Sequence, residues 1–403
     1  MKNDAIQFHD EMDLVKQSFS KAIKFSSVNI DLFREKFAIP GISCAVEIGG
    51  KRIWTISYGY SDVLAEKPFD ENSRIQVGSI SKPITMALIA RLWQNNILDI
   101  DRAVSDYVLN FTPKVVQGRS YCPTLRQLAS HLGGIRHYWP VEYQRKVDAT
   151  RLPGLYVDDY SNCSEYSNPP LYSDVLDSLH IFKNDDFVYL PGERFLYSTY
   201  GYSLLGAAAE NAAGLPIPVL YGQMFHNHLA LFRTDIDGFI DGKDCSKQYK
   251  RKLSGQMETT YSSCSSKIPG AGIVSSAGDL ALFGSSMLHC LSRKSLNTYL
   301  SPEIMHEIWT PHSDSRCWHD GGKYALGWCI LGPRFASPLL NKPVYVHLGQ
   351  AIGATSILLL VPGSGFGVEE GLSLAISTNL DNVRGLGSLA IDIALKFYLL
   401  HCV

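Results

Sequence analysis

This chain has no apolar run long enough to span a membrane; its most apolar stretch, residues 356–361, is only of strand length. It also lacks charge of one sign. Thirty-seven Lys and Arg against 39 Asp and Glu leave a formal net charge of -2, which gives no support for a nucleic acid partner. Nine cysteines are odd in number and scattered from Cys44 to Cys402 with no C-x-x-C pair. A disulfide framework or zinc ribbon is therefore not expected, and a reducing compartment is. Arginine is missing before Arg34, where Asp4, Asp10, Glu11 and Asp13 stand instead. Neither a signal peptide nor an Arg-rich transit peptide is legible there. No P-loop or dinucleotide fingerprint occurs. His226-Asn-His228 has no third ligand nearby, and His306-Glu-x4-His312 misses the metalloprotease spacing, so neither cofactor nor metal is expected. The polar, acidic residues 235–250 miss the EF-hand pattern and read as a solvated excursion.

What is present centres on residues 76–93. Ile84, Ala87, Leu88 and Leu92 form one helical stripe, Gly78 marks the entry, and Pro83 is tolerated in the first turn. At that entry stand Ser79 and, three residues on, Lys82, which share a helix face. A serine hydroxyl becomes a nucleophile when a neighbouring base takes its proton, and a lysine serves once burial or nearby positive charge lowers its pKa. The helix N-terminus adds free N–H groups for a developing oxyanion. A second S-x-x-K, Ser18 to Lys21, lacks the glycine entry and the apolar helix.

With 403 residues the chain is long enough for one large domain or several. Residues 10–37 read as amphipathic helix, and 42–48 and 52–58 as strands joined by Gly49-Gly50, with 59–62 ending the pair. Helices follow at 104–111, 124–131 (Thr124 as N-cap) and 202–213, with 158–174 as a surface loop. Beyond Gly270 come a helix at 277–291, strands at 324–331, 344–348, 354–361 and 372–378, and a closing helix at 384–400. Strands at both ends with helices between give an α+β fold, one antiparallel sheet built from both termini around a helical insertion.

Five segments in order carry a family resemblance: Val77-Gly-Ser-Ile-Ser-Lys82, Ser130-His-Leu-Gly-Gly-Ile-Arg-His137, Pro191-Gly-x-x-Phe-x-Tyr-Ser198, Tyr324-Ala-Leu-Gly-Trp328 and His347-Leu-Gly349. Together they resemble the serine β-lactamase-related family, nearest the class C enzymes and D-alanyl-D-alanine carboxypeptidases and, within it, its animal mitochondrial branch. The resemblance implies a β-lactamase/transpeptidase-like fold over residues 39–403, preceded by a helical segment, 1–38. The sheet would come from 39–78 and 265–403, and the helical part from 79–264. It implies Tyr197 as the proton-shuttling tyrosine, with Thr199 where asparagine is usual. Tyr160-Ser-Asn162 and Tyr166-Ser-Asn168 copy that motif literally but sit in the polar loop, so they are set aside. His131-Leu-Gly133 copies the third motif but ends a helix, and His131 reads as structural, as do Arg136 and Trp328.

The third motif would be His347-Leu348-Gly349, with Gly349 admitting a substrate backbone and the Gln350 and Ser79 N–H groups forming the oxyanion hole. Thr199, His347, Gly349 and Gln350 are thus the expected substrate-side residues, and Ser79, Lys82 and Tyr197 the catalytic ones. Leu348 lacks the hydroxyl and the chain lacks the lysine that penicillin recognition uses. The implied activity is a serine peptidase forming an acyl-enzyme, mitochondrial, linked to lipid metabolism and self-assembling into an oligomer or filament. The alternatives are a small-molecule esterase or amidase, or a non-catalytic scaffold.

Overall fold

The first hairpin is dictated by its turn. Gly49 and Gly50 both take positive φ (57° and 75°), the two-residue geometry whose twist matches the flanking strands, β1 (Gly41–Ile48) and β2 (Lys51–Asp62). The computed structural model describes residues 18–150, 163–238, 245–292, 297–312, 322–332, 342–363 and 371–399. The other strands of the main sheet are β3 (Lys67–Pro68), β4 (Lys323–Tyr324), β5 (Cys329–Ile330), β6 (Tyr345–Ala351), β7 (Ala354–Val361) and β8 (Leu372–Thr378). Their order is β4-β5-β6-β7-β8-β1-β2-β3, all pairs antiparallel. The seam where the two chain ends meet is β1 on β8, from Ile42 opposite Thr378 to Ile48 opposite Leu372.

Strand periodicity divides the core into two layers. Cys44, Val46, Ile357, Leu359, Leu374 and Ile376 face one side with helices α1 (Ser20–Lys36) and α7 (Leu386–Leu399), where Phe19 and Trp54 both pack on Phe397. Ala45, Leu358, Leu360 and Ala375 face the other side with the remaining helices. There lie α2 (Ser81–Gln94), α3 (Leu125–Ala129), α4 (Thr199–Ala213), the single turn α5 (Ile268–Ala271) and α6 (Ala277–His289). Because β1, β7 and β8 are covered on both faces, even their polar residues Ser43, Glu47, Ser356 and Ser373 are buried.

Several expectations need correction. Residues 59–62 continue β2 instead of ending it. Only a 3-10 turn, Val104–Asp106, forms where a helix over 104–111 was expected. The run 324–331 is not one strand: Gly327, at φ 79°, turns the chain so that β4 and β5 pair with each other. Of the stretch 235–250, residues 239–244 lie outside the described residues, and the two ends enter β structure, Asp235–Ile236 beside Ile273–Ser275 and Gln248–Arg251 beside Met257–Thr260. Nor does α2 have a single buried stripe, since every residue from Ser81 to Ala90 is buried.

Helix α6 reaches the sheet through Gly284, where an added Cβ would lie 2.3 Å from Ser373 Oγ and 2.4 Å from Leu360 Cδ2. Gly284→Leu should lower stability by on the order of 3 kcal/mol through overpacking, read as a drop in urea midpoint at unchanged m-value.

Candidate active site

Ser79 lies in a 3-10 turn, Gly78–Ile80, that leads directly into α2. The turn is pinned from both sides. Ser81 Oγ donates to Gly78 O (2.7 Å) and accepts from Ile273 N–H (3.1 Å). On the β6 side the approach is closer than any side chain allows. A Cβ on Gly78 (φ 52°) would stand 2.6 Å from Gln350 N and 2.3 Å from Gln350 O, and one on Gly349 would stand 2.0 Å from Val77 O. Ser356 Oγ completes the clamp by donating to Val77 O (3.1 Å). Gly349 therefore makes room for the serine loop, not for a substrate backbone. The Gln350 peptide lies beside that loop, and its side chain is held away on Asn382 (2.8 Å).

Lys82 is fully buried, yet Ser79 remains half-buried and reachable. The Lys82 Nζ donates to Ser79 Oγ (3.0 Å), Thr199 Oγ1 (3.2 Å) and Gly270 O (2.8 Å). It lies 4.6 Å from the ring centre of Tyr197 and 5.7 Å from that of Tyr202. Burial pulls its pKa well below the ordinary lysine value, and the charge of Lys267 adds to the effect. The geometry assembles Ser79, Lys82, Tyr197, Thr199 and the Gln350 backbone around one point. Thr199 is itself buried with its hydroxyl on Lys82, so it holds the lysine and is not open to substrate.

His347 also departs from expectation. It lies within β6, not at a strand end, and is fully buried. Its Nδ1 donates to Leu348 O (2.8 Å), which leaves Nε2 to accept from Tyr324 O–H (3.1 Å). Burial, then the charge of Lys82, lowers its pKa to about 3, so the ring is neutral and locked. The residue that β6 does expose here is Leu348.

Reading the sequence missed what positions Tyr197 and Thr199. His131, in left-handed backbone (φ 60°), accepts at Nδ1 from Ser198 N–H, and its ring packs on those of Tyr197 and Tyr324. His137 Nδ1 accepts from Thr199 N–H. Both rings are held neutral chiefly by burial, with Lys82 adding to it. Arg136 is structural as expected, ion-paired with Glu165 and Asp185. Of the motif copies set aside, Ser18 and Lys21 are exposed, Tyr160-Ser-Asn162 lies outside the described residues, and Tyr166 packs close to the site. The spacing of Ser130 to His137 was the available signal for the two histidines; Tyr166 offered only the Tyr-x-Asn letters set aside above and Lys267 offered nothing, because long-range packing brings both in.

Residues 29–395 match the Beta-lactamase family model. The chain belongs to the Beta-lactamase family. It is 30% identical to the human protein named serine beta-lactamase-like protein LACTB, mitochondrial, over 94% of this chain and 80% of that one. Among solved structures, an octameric penicillin-binding protein homologue from Pyrococcus abyssi superposes with a TM-score of 0.72 at 21% identity, covering 93% of this chain and 77% of that one. The hydrolase EstCE1, described with promiscuous acyltransferase activity, gives 0.71 at 19% identity over 96% and 100%. The β-lactamase/transpeptidase-like fold is thus shared, with the serine-hydrolase architecture it carries.

Neutral buried histidines make stability fall in acid. His347 takes a proton near pH 6.5 once unfolded but only near pH 3 in the fold, so the unfolded chain binds more protons between those values. The stability advantage of wild type over His347→Gln should therefore be full above about pH 6.5 and shrink by about 1.4 kcal/mol per pH unit below it. Urea unfolding of both proteins at several pH values measures this.

Proposed function

We propose that this protein is a serine hydrolase working through an acyl-enzyme on Ser79. One observation carries the reading: a buried lysine amine 3.0 Å from the hydroxyl of a reachable serine. The carbonyl of Gly270 can only accept, whereas the hydroxyls of Ser79 and Thr199 can donate or accept. As an ammonium Lys82 donates to all three. As a neutral amine it donates to Gly270 O and Thr199 Oγ1 and accepts from Ser79 O–H. No hydrogen bond is lost in either state, so the proton can pass from Ser79 to Lys82 while the oxygen attacks a carbonyl.

In this mechanism the Ser79 and Gln350 N–H groups hold the oxyanion. Tyr197, its ring against the Lys82 amine, relays the proton: its O–H protonates the leaving group and the tyrosinate is reprotonated by the Lys82 ammonium, which becomes the neutral amine again. Water then cleaves the ester and restores the serine. Thr199 and Gly270 hold Lys82, while Gly349 lets β6 close on the serine loop and His347 is held within β6 by Tyr324 and the Leu348 carbonyl. We propose a peptide as substrate and mitochondria as location, supported by the LACTB likeness over nearly the whole chain. Self-association draws support from the octameric neighbour. Small esters or amides are the second reading, favoured by the full-length match to EstCE1 and by the exposed Leu348 at the third motif.

Intact-mass analysis after incubation with a serine-directed phosphonate tests the chemistry. Wild type should gain one adduct, Ser79→Ala none, and Lys82→Met should label about 100-fold more slowly or worse. Folded wild type that gains no adduct would remove the hydrolase reading.

A further inference from the structure

The site holds a second buried lysine with no anion to face. Lys267 is 3% exposed, and its ammonium lies 4.7 Å from the ring centres of both Tyr138 and Tyr166. Two carboxylates near enough to affect it are occupied elsewhere. Asp237 accepts from Gln76 Nε2, Tyr261 O–H and Cys264 N–H, and Glu165 accepts from Arg136 and Tyr200. Among the described residues none forms an ion pair with Lys267. An ammonium taken out of water without a counterion is costly, and two aromatic faces return only part of that cost.

Its place relative to Ser79 is fixed by two links. Lys267 enters α5 three residues before Gly270, whose carbonyl receives the Lys82 amine. The Tyr138 ring under its ammonium belongs to a residue hydrogen-bonded to Thr199, the other support of Lys82. Lys267 thus stands on the α5 side of Ser79. The β6 side offers no cation: His347 is neutral and Leu348 is apolar.

We propose that Lys267 is the anchor for a carboxylate of the substrate, so that the site selects acyl compounds bearing an anionic group on the α5 side of the serine. This rests on the hydrolase reading of Ser79. The anion would pair with the ammonium at the rings of Tyr138 and Tyr166, where water is already largely excluded. A charge-assisted contact at such a place gives strong discrimination against a neutral analogue.

The test compares two p-nitrophenyl esters on the full chain, one of glutarate with its second carboxylate free and one of methyl glutarate. Wild type should prefer the anionic ester roughly 10- to 100-fold in kcat/KM. Lys267→Met, which also removes a charge that lowers the Lys82 pKa, should slow the anionic ester far more than the neutral one and so erase the preference, and Lys267→Arg should keep part of it. Equal rates on both esters in wild type would overturn the anchor and leave the Ser79 reading standing. Equal losses on both esters in Lys267→Met would overturn it too, assigning Lys267 to the protonation of Lys82. Turnover of neither ester by wild type would overturn the anchor together with the hydrolase reading.

Discussion

One buried amine organises this protein. Lys82 sits in a helix with no exposed side through its first ten residues, and its Nζ has three partners from three separate parts of the chain: Ser79, Thr199 and Gly270. Burying an amine is tolerable only if its hydrogen bonds are complete. That requirement ties α2, α4 and α5 together. It explains why two glycines lie at the crossing: a Cβ on Gly270 would fall 2.5 Å from Thr199 Cγ2, and one on Gly206 would fall 2.2 Å from Pro269 Cγ.

The sheet supplies the opposite jaw. Because β8 from the end of the chain pairs with β1 from its beginning, β7 and β6 are carried across to the serine turn. Gly349 and Gly78 then meet the facing backbones with no room for a side chain. Ser79 is therefore held between β6 and a lysine, each placed by a different half of the fold. Neutral histidines fill the space around the amine. Burial, and the nearness of Lys82, keep a proton off each of these rings.

Much of this was legible in the sequence, and the exceptions have physical causes. Strands β7 and β8 coincide with their apolar runs, and the Gly49-Gly50 hairpin follows from turn chemistry alone. The Ser79 turn was readable because glycine, serine and lysine spacing is local. What failed was non-local. Gly327 looked like a strand residue until its positive φ turned the chain. His347 carried the letters of a substrate-facing motif, yet Tyr324 and the Leu348 carbonyl occupy its ring. Tyr166 was discarded for lying in a polar loop, but it meets Lys267, a residue a hundred positions away, through packing that no periodicity records.

The central claim is that Lys82 is a neutral base in the working enzyme, and the pH dependence of phosphonate labelling at Ser79 addresses it most directly. A lysine lowered by burial and by Lys267 should bring the labelling rate to its plateau well under the ordinary lysine pKa of about 10.4. A rate that goes on climbing through about pH 10, as for a solvent-exposed lysine, would contradict the account.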